Sequence, residues 1–273
     1  MVGIVTLTTD FGLRDAYVAE MKGVIFGIAE TAGRPLSLVD VTHDVERHDI
    51  TEGALALEAA ARFFPRGTVH LAVVDPGVGT ARRGLVMTAG GHAFVGPDNG
   101  LFTPFLGDSR WRAFELGAAE FRRAGVSHTF HGRDVFAPAA AHLARGVEPD
   151  RLGPPVTDPV RLAWPDMRVS EGRVGGAVVH VDRFGNLVTS IHADAIAALG
   201  SGVAIRVAGK SLPLVRTYGD LGRGDPGALV GSTNRLEIAV NAGNAARTLR
   251  AGRGTPVVVS RTSARAPRGR RRM

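Results

Sequence analysis

Val69-His-Leu-Ala-Val-Val-Asp-Pro-Gly-Val-Gly79 is an apolar run that ends abruptly at an acid and a Pro-Gly turn. Residues 69–74 lack the alternation of a strand with one wet face. They read as a strand buried on both sides, as in a parallel sheet covered by helices. Upstream, 50–64 is an Ala-rich helix closed by Pro65-Arg-Gly, and 35–41 is a further strand. Residues 3–9 form a β-branched run ending at Asp10-Phe-Gly, followed by Val18, Met21, Val24, Ile25 and Ile28 on one helical face. Downstream, 85–88 and 93–95 predict a hairpin around Gly90-Gly91, and 136–143 predicts a helix.

From 151 to 169 the periodicity stops and Pro154, Pro155, Pro159 and Pro165 crowd together, with Pro149 just before. Beyond lie short strands at 172–191, 203–207, 229–230, 236–240 and 256–260, separated by Gly-rich turns. The expected organisation is an α/β N-terminal domain with a largely parallel central sheet over 1–152, then a Pro-rich linker over 153–171. A small all-β barrel domain over 172–260 and a basic tail over 261–273 complete it.

The chain has 273 residues, 44% of them hydrophobic, which excludes a disordered polypeptide. It contains no Cys, so disulfides and thiolate chemistry are excluded. No apolar stretch is long enough for a membrane span, and the N-terminus runs straight into strand-like sequence without a basic leader. Cytoplasm is the expected location. The net charge of +7 suggests nucleic acid, but six of the arginines lie between Arg261 and Met273, so the body is near neutral. No aromatics interleave with the tail's arginines, so a solvated extension is expected in place of a nucleic-acid arm.

Familiar nucleotide signatures fail. No G-x-G-x-x-G follows a strand, no G-x-S-x-G is present, and Ala204 stands where a phosphate loop ending at Gly209-Lys-Ser would need Gly. Acids instead sit at turns after apolar runs: Asp10, Asp75, Asp98 with Asn99, and Asp134 after Arg133. Each could simply cap a helix or shape a turn. In an open α/β sheet, however, Asp10 and Asp75 would converge on the crevice beyond the strand carboxyl ends. His43 with His48 and His128 with His131 lie near acids but match no recognised ligand spacing, so no metal is expected.

Six segments in order carry a resemblance: Thr8-Thr-Asp-Phe-Gly-Leu-Arg-Asp-Ala-Tyr17, Val74-Asp-Pro-Gly-Val-Gly-Thr-Ala-Arg-Arg83, Gly96-Pro-Asp-Asn-Gly100, Thr129-Phe-His-Gly-Arg-Asp-Val-Phe-Ala-Pro138, Asp182-Arg-Phe-Gly-Asn186 and Leu236-Glu-Ile-Ala-Val-Asn-Ala-Gly-Asn-Ala245. They resemble the S-adenosyl-L-methionine hydroxide adenosyltransferases, relatives of fluorinase and chlorinase, from about residue 4 to 260. The resemblance implies hydrolysis of S-adenosyl-L-methionine to adenosine and methionine with no cofactor. It also implies a homotrimer whose sites lie between the N-terminal domain of one subunit and the C-terminal domain of the next. The family's catalytic set falls on Asp75, Arg82 and His131. Asp10 falls where the ribose hydroxyls are held, and Phe184, Asn186 and Ala242 where adenine is held. Asp182, Ser232 and Asp15 match the methionine end, while His48, Gly132 and Asn241 complete the substrate-binding set.

The chemistry fits these residues. Displacement at the ribose 5′ carbon expels a neutral thioether from a sulfonium, so neither an acid nor a metal is required. Water must be held in line and deprotonated, and the sequence leaves open whether Asp75 or His131 takes the proton. The resemblance sets Asp75 where fluorinase has a tyrosine and Gly132 where it has a halide-binding serine. A carboxylate there repels a halide and favours water over a halogenase reaction. A sensor that binds without turnover would have no use for a water-activating set.

Overall fold

The computed structural model describes residues 3–31, 33, 35–163 and 167–262, and the chain divides into two units, Met1–Trp164 and Pro165–Met273. The tail beyond Thr262 lies outside the described residues.

In the first unit the elements are β1 (Gly3–Thr9), α1 (Tyr17–Thr31), β2 (Leu36–Thr42), α2 (Ile50–Ala61), β3 (Val69–Val73), β4 (Gly84–Ala89), β5 (His92–Pro97), β6 (Arg112–Glu115), α3 (Ala137–Ala144) and β7 (Pro155–Val156). They build one seven-stranded sheet of order β2-β1-β3-β5-β4-β6-β7. All five residues of β3 are buried, as its unbroken apolar run requires. Helix α1 buries Val18, Met21, Ile25 and Ala29, with Val24 and Ile28 packed at the edge of the same core. Asp49 caps α2, its carboxylate accepting the Glu52 N–H at 2.9 Å.

The expectation of a largely parallel sheet needs correction. β2, β1, β3 and β5 pair in parallel, but β5 with β4, β4 with β6, and β6 with β7 pair antiparallel. The sheet is mixed because the sequence contains a two-residue hairpin. Ala89 pairs with His92 across Gly90 and Gly91, at φ 59° and 87°. A turn with positive φ at both positions joins strands only antiparallel.

The second unit holds β8 (Arg168–Ser170), β9 (Arg173–Val181), β10 (Leu187–His192), α4 (Ala193–Ala197), β11 (Val203–Val207), β12 (Lys210–Leu212), β13 (Pro226–Val230), β14 (Arg235–Val240), α5 (Ala245–Leu249) and β15 (Pro256–Arg261). Its eight strands run β12-β11-β15-β9-β10-β14-β13, with β8 beside β9, and every ladder is antiparallel. Beyond β12, Ala228 donates to the Pro213 carbonyl at 2.9 Å and accepts from the Val215 N–H at 2.8 Å. That bridge brings the chain after β12 against β13 and nearly closes a barrel. Val174, Leu187, Ile191, Ile205, Ile238 and Val259 fill its interior. The stretch 172–191, read from sequence as one extended segment, is two strands broken by a tight turn at 182–186.

Candidate active site

Asp10 follows β1, and Asp75 stands two residues beyond β3. These strands are parallel neighbours with Thr9 opposite Val73, so both acids project from the same sheet edge. From β1 the chain crosses to β2 on one side, whereas from β3 it continues toward the β5 side. The two acids therefore flank the point where the winding reverses, where ligands bind in open α/β sheets.

Asp75, Arg82 and His131 are joined directly. Arg82 Nε donates to both Asp75 oxygens, at 3.0 and 3.1 Å, and a shorter contact links Nη2 to Oδ2. The same Nη2 donates to His131 Nδ1 at 2.9 Å. The Arg82 and Asp75 side chains are 11% and 5% exposed, so the pair is well shielded from water. The Arg82 guanidinium also lies 5.1 Å from the Phe136 ring centroid, a packing partner that the motifs did not single out. Guanidinium has only donors, so His131 must accept at Nδ1 and carry its proton on Nε2. Burial, reinforced by the Arg82 charge and opposed by Asp75, holds the His131 pKa below its ordinary 6.5.

His131 is delivered by an irregular segment. Residues Gly132–Phe136 wind as a π-helical turn before α3, a distortion frequent at functional sites. Fully buried Asp134 anchors this turn, accepting from Arg133 at 2.8 and 2.9 Å and from the Ser127 N–H at 2.9 Å. Arg133 also reaches Glu20 on α1 at 2.8 Å. Gly132 packs tightly: a Cβ there would lie 3.2 Å from Phe130 and 3.3 Å from the Met21 sulfur. Phe11, Tyr17 and Phe130 meet edge to face, with centroids 5.2 to 5.9 Å apart.

Asp10 accepts the His48 backbone N–H at Oδ2, 2.9 Å, which leaves Oδ1 for another donor. His48 adopts φ 64°, a backbone choice that no sequence signal announced. Asp15 is exposed in the loop between Asp10 and α1. The other acidic turn serves the framework. Asp98 binds Arg83 at 2.9 Å and the Val160 N–H at 2.8 Å, while the Asn99 amide donates to the Val74 carbonyl at 2.8 Å. His43 pairs with the Thr9 hydroxyl at 2.8 Å and lies 3.0 Å from Asp40. Among the described residues no group of three or more His, Asp or Glu could hold a metal ion.

In the second unit the 182–186 turn is built around Asp182. Its Oδ1 accepts the N–H groups of Phe184 and Asn186 at 2.9 and 2.8 Å, and its Oδ2 accepts the Asn186 amide at 3.0 Å. Gly185, at φ 85°, permits the turn, and a Cβ there would collide with Asn244. Phe184 is left 77% exposed, while Asn186 is buried with one amide hydrogen committed. Ser232 is exposed in the β13–β14 turn, and Ala242 is exposed at φ 53°. The Asn241 amide donates to the Leu221 carbonyl at 2.6 Å. Sequence reasoning passed over Glu237, buried in β14 and accepting from the Tyr218 hydroxyl at 2.6 Å. Its signal was an acid inside the apolar run Leu236-Glu-Ile-Ala-Val240. Burial holds the Glu237 pKa above the usual carboxylate range.

The chain is similar to known proteins over most of its length. Residues 5–153 match the SAM hydroxide adenosyltransferase N-terminal domain, and residues 176–258 match the C-terminal domain. The chain is 45% identical over 258 residues to a Thermus thermophilus protein named (R)-S-adenosyl-L-methionine hydrolase, covering 91% of this chain and 96% of that one. A fluorinase of Actinopolyspora mzabensis is more distant, 31% identical over 95% of this chain and 97% of its own. A solved Thermotoga maritima structure, described as an uncharacterized conserved protein, superposes with a TM-score of 0.86 at 35% identity. It covers 94% of this chain and 100% of that one.

Proposed function

Because this chain belongs to the SAM hydroxide adenosyltransferase family, we propose that it hydrolyses S-adenosyl-L-methionine to adenosine and L-methionine by attack of water on the ribose 5′ carbon. The observation that carries the mechanism is the Arg82 bridge between Asp75 and His131 at the sheet edge that also bears Asp10.

Methionine leaves as a neutral thioether, so catalysis must act on the incoming water. His131 already accepts from Arg82 at Nδ1, and its Nε2–H can only donate, to the water oxygen. The proton then passes to Asp75, whose oxygens keep lone pairs beyond those engaged by Arg82. General-base help of this kind contributes about 10²–10⁴ in rate, and fixing the water in line supplies the larger share. Arg82 orients both partners. Acids near the sulfonium strengthen binding of a charge that fades in the transition state, so they act on KM and not on turnover.

Asp10 receives the ribose hydroxyls through Oδ1, with Oδ2 steadied by His48. Phe184 offers an open ring face to adenine, with Asn186, Asn241 and Ala242 at its edge. Asp15, Asp182 and Ser232 take the methionine end, and Gly132, packed against Phe130 and Met21, lets the backbone of the His131 turn lie against the substrate. A homotrimer with sites shared between subunits is supported by exposed apolar side chains on the loop after Asp10, at the start of α1 and on the 182–186 turn. Leu13, Tyr17 and Phe184 are 71%, 47% and 77% exposed. A halide would sit beside the Asp75 carboxylate, which disfavours halogenation.

The test is a chromatographic time course with S-adenosyl-L-methionine, chelator and chloride. Adenosine and methionine formed in equal amounts support the reading. A 5′-chloro-5′-deoxyadenosine peak, or no product, overturns it.

A further inference from the structure

We propose that Asp40, His43 and Thr9 act as positioning residues for ribose: they fix the turn that presents Asp10, and so set how strongly its carboxylate holds the ribose hydroxyls. The proposal rests on the ribose role given to Asp10 above. All four residues belong to the first unit. Asp40 lies on β2, His43 follows that strand, and Thr9 ends β1 immediately before Asp10.

Thr9 Oγ1 lies 2.8 Å from His43 Nδ1, and His43 Nε2 lies 3.0 Å from Asp40 Oδ1. Lys22 on α1 donates to the other Asp40 oxygen at 2.6 Å. A ring nitrogen facing a carboxylate must carry its proton, so in the neutral imidazole Nδ1 accepts from the Thr9 hydroxyl. Carboxylate, imidazole and hydroxyl stand in the order a hydrolytic triad uses. Here the hydroxyl cannot attack a substrate, because Thr9 is fully buried and His43 is 4% exposed.

What the Thr9 oxygen holds instead is backbone. It accepts the Phe11 N–H at 3.3 Å, and the His43 carbonyl accepts the Gly12 N–H at 2.8 Å, where Gly12 turns at φ 66°. The Thr9 carbonyl accepts the Val45 N–H at 3.4 Å, and the His48 N–H reaches the Asp10 carboxylate at 2.9 Å. Segment 43–48 thus grips residues 9–12 on both sides of Asp10. Removing the His43 acceptor strands a buried hydroxyl at the root of that grip. A carboxylate no longer held in place loses its bonds to ribose, because hydrogen bonds weaken steeply as their geometry degrades.

The experiment is calorimetric titration of the full chain with adenosine and with 2′,3′-dideoxyadenosine. It compares wild type, His43→Leu, Thr9→Val, the two combined, and His43→Asn. Wild type should prefer adenosine by about 10- to 100-fold, because the ribose hydroxyls donate to a carboxylate. His43→Leu and Thr9→Val should each cut that preference about tenfold through adenosine affinity alone. The combined variant should cut it no further, since both changes remove one bond. His43→Asn keeps an acceptor at the Nδ1 position and should retain the wild-type preference. A wild-type preference in His43→Leu, or equal weakening of both nucleosides as general damage to the fold produces, would overturn the relay alone. A wild type with no preference, or one that binds neither compound, takes ribose away from Asp10 and overturns the underlying reading as well, so the two failures are told apart.

Discussion

Arg82 Nη2 donates to His131 Nδ1 at 2.9 Å, and this contact sets which ring nitrogen carries the proton. Since arginine cannot accept, His131 works only while neutral, with Nε2 as its donor. Burial and the Arg82 charge depress its pKa below 6.5. Turnover should therefore be flat through neutral pH and fall on acidification only below about 6.5. A pH–kcat profile with its acid limb centred above that value would refute this tautomer assignment.

Arg82→Lys should lower kcat by on the order of a hundredfold with little change in KM. Lysine keeps the charge but cannot span Asp75 and His131 as a planar fork does. Steady-state kinetics with S-adenosyl-L-methionine check the split, and near-wild-type kcat would remove Arg82 from the orienting role.

Asp75→Asn should reduce adenosine formation about 10²–10⁴-fold, because the base is lost. It also leaves the shielded Arg82 guanidinium without its counter-charge, which costs about 3–5 kcal/mol for a buried pair. Activity and denaturant midpoint should fall together; a fully active variant would place the base elsewhere.

Phe184→Ala removes a ring that nothing within its own subunit buries, since it is 77% exposed there. Loss of adenine stacking, about 1–3 kcal/mol per base, should raise KM on the order of tenfold with kcat nearly intact. An unchanged KM would take adenine away from Phe184.

His70, buried in β3 and bonded to the Thr6 hydroxyl at 2.8 Å, has its pKa pushed down to about 3 by burial and by His92. The unfolded chain protonates near 6.5 while the folded chain stays neutral, so stability is lost as pH falls from about 6.5 toward 3. The slope from this one group approaches about 1.4 kcal/mol per pH unit. Replacing both partners, His70→Leu with Thr6→Val, should flatten that slope in denaturation measured across this range.

Much of this molecule is legible along the chain because the signals are local. An apolar run broken by Asp-Pro-Gly is enough for β3 and for the acid at its end, and Gly90-Gly91 between β-formers is enough for the hairpin. The ordered motifs single out Asp75, Arg82 and His131. Their chemistry is not local. His131 lies 49 residues from Arg82, and its tautomer and depressed pKa exist only once folding removes water and supplies that donor. The mixed sheet depends on where the hairpin docks, and the adjacency of Asp10 and Asp75 depends on the register of Thr9 with Val73. Backbone preferences act over a few residues, whereas desolvation and hydrogen-bond partnership are set by whatever the tertiary fold brings within about 3 Å.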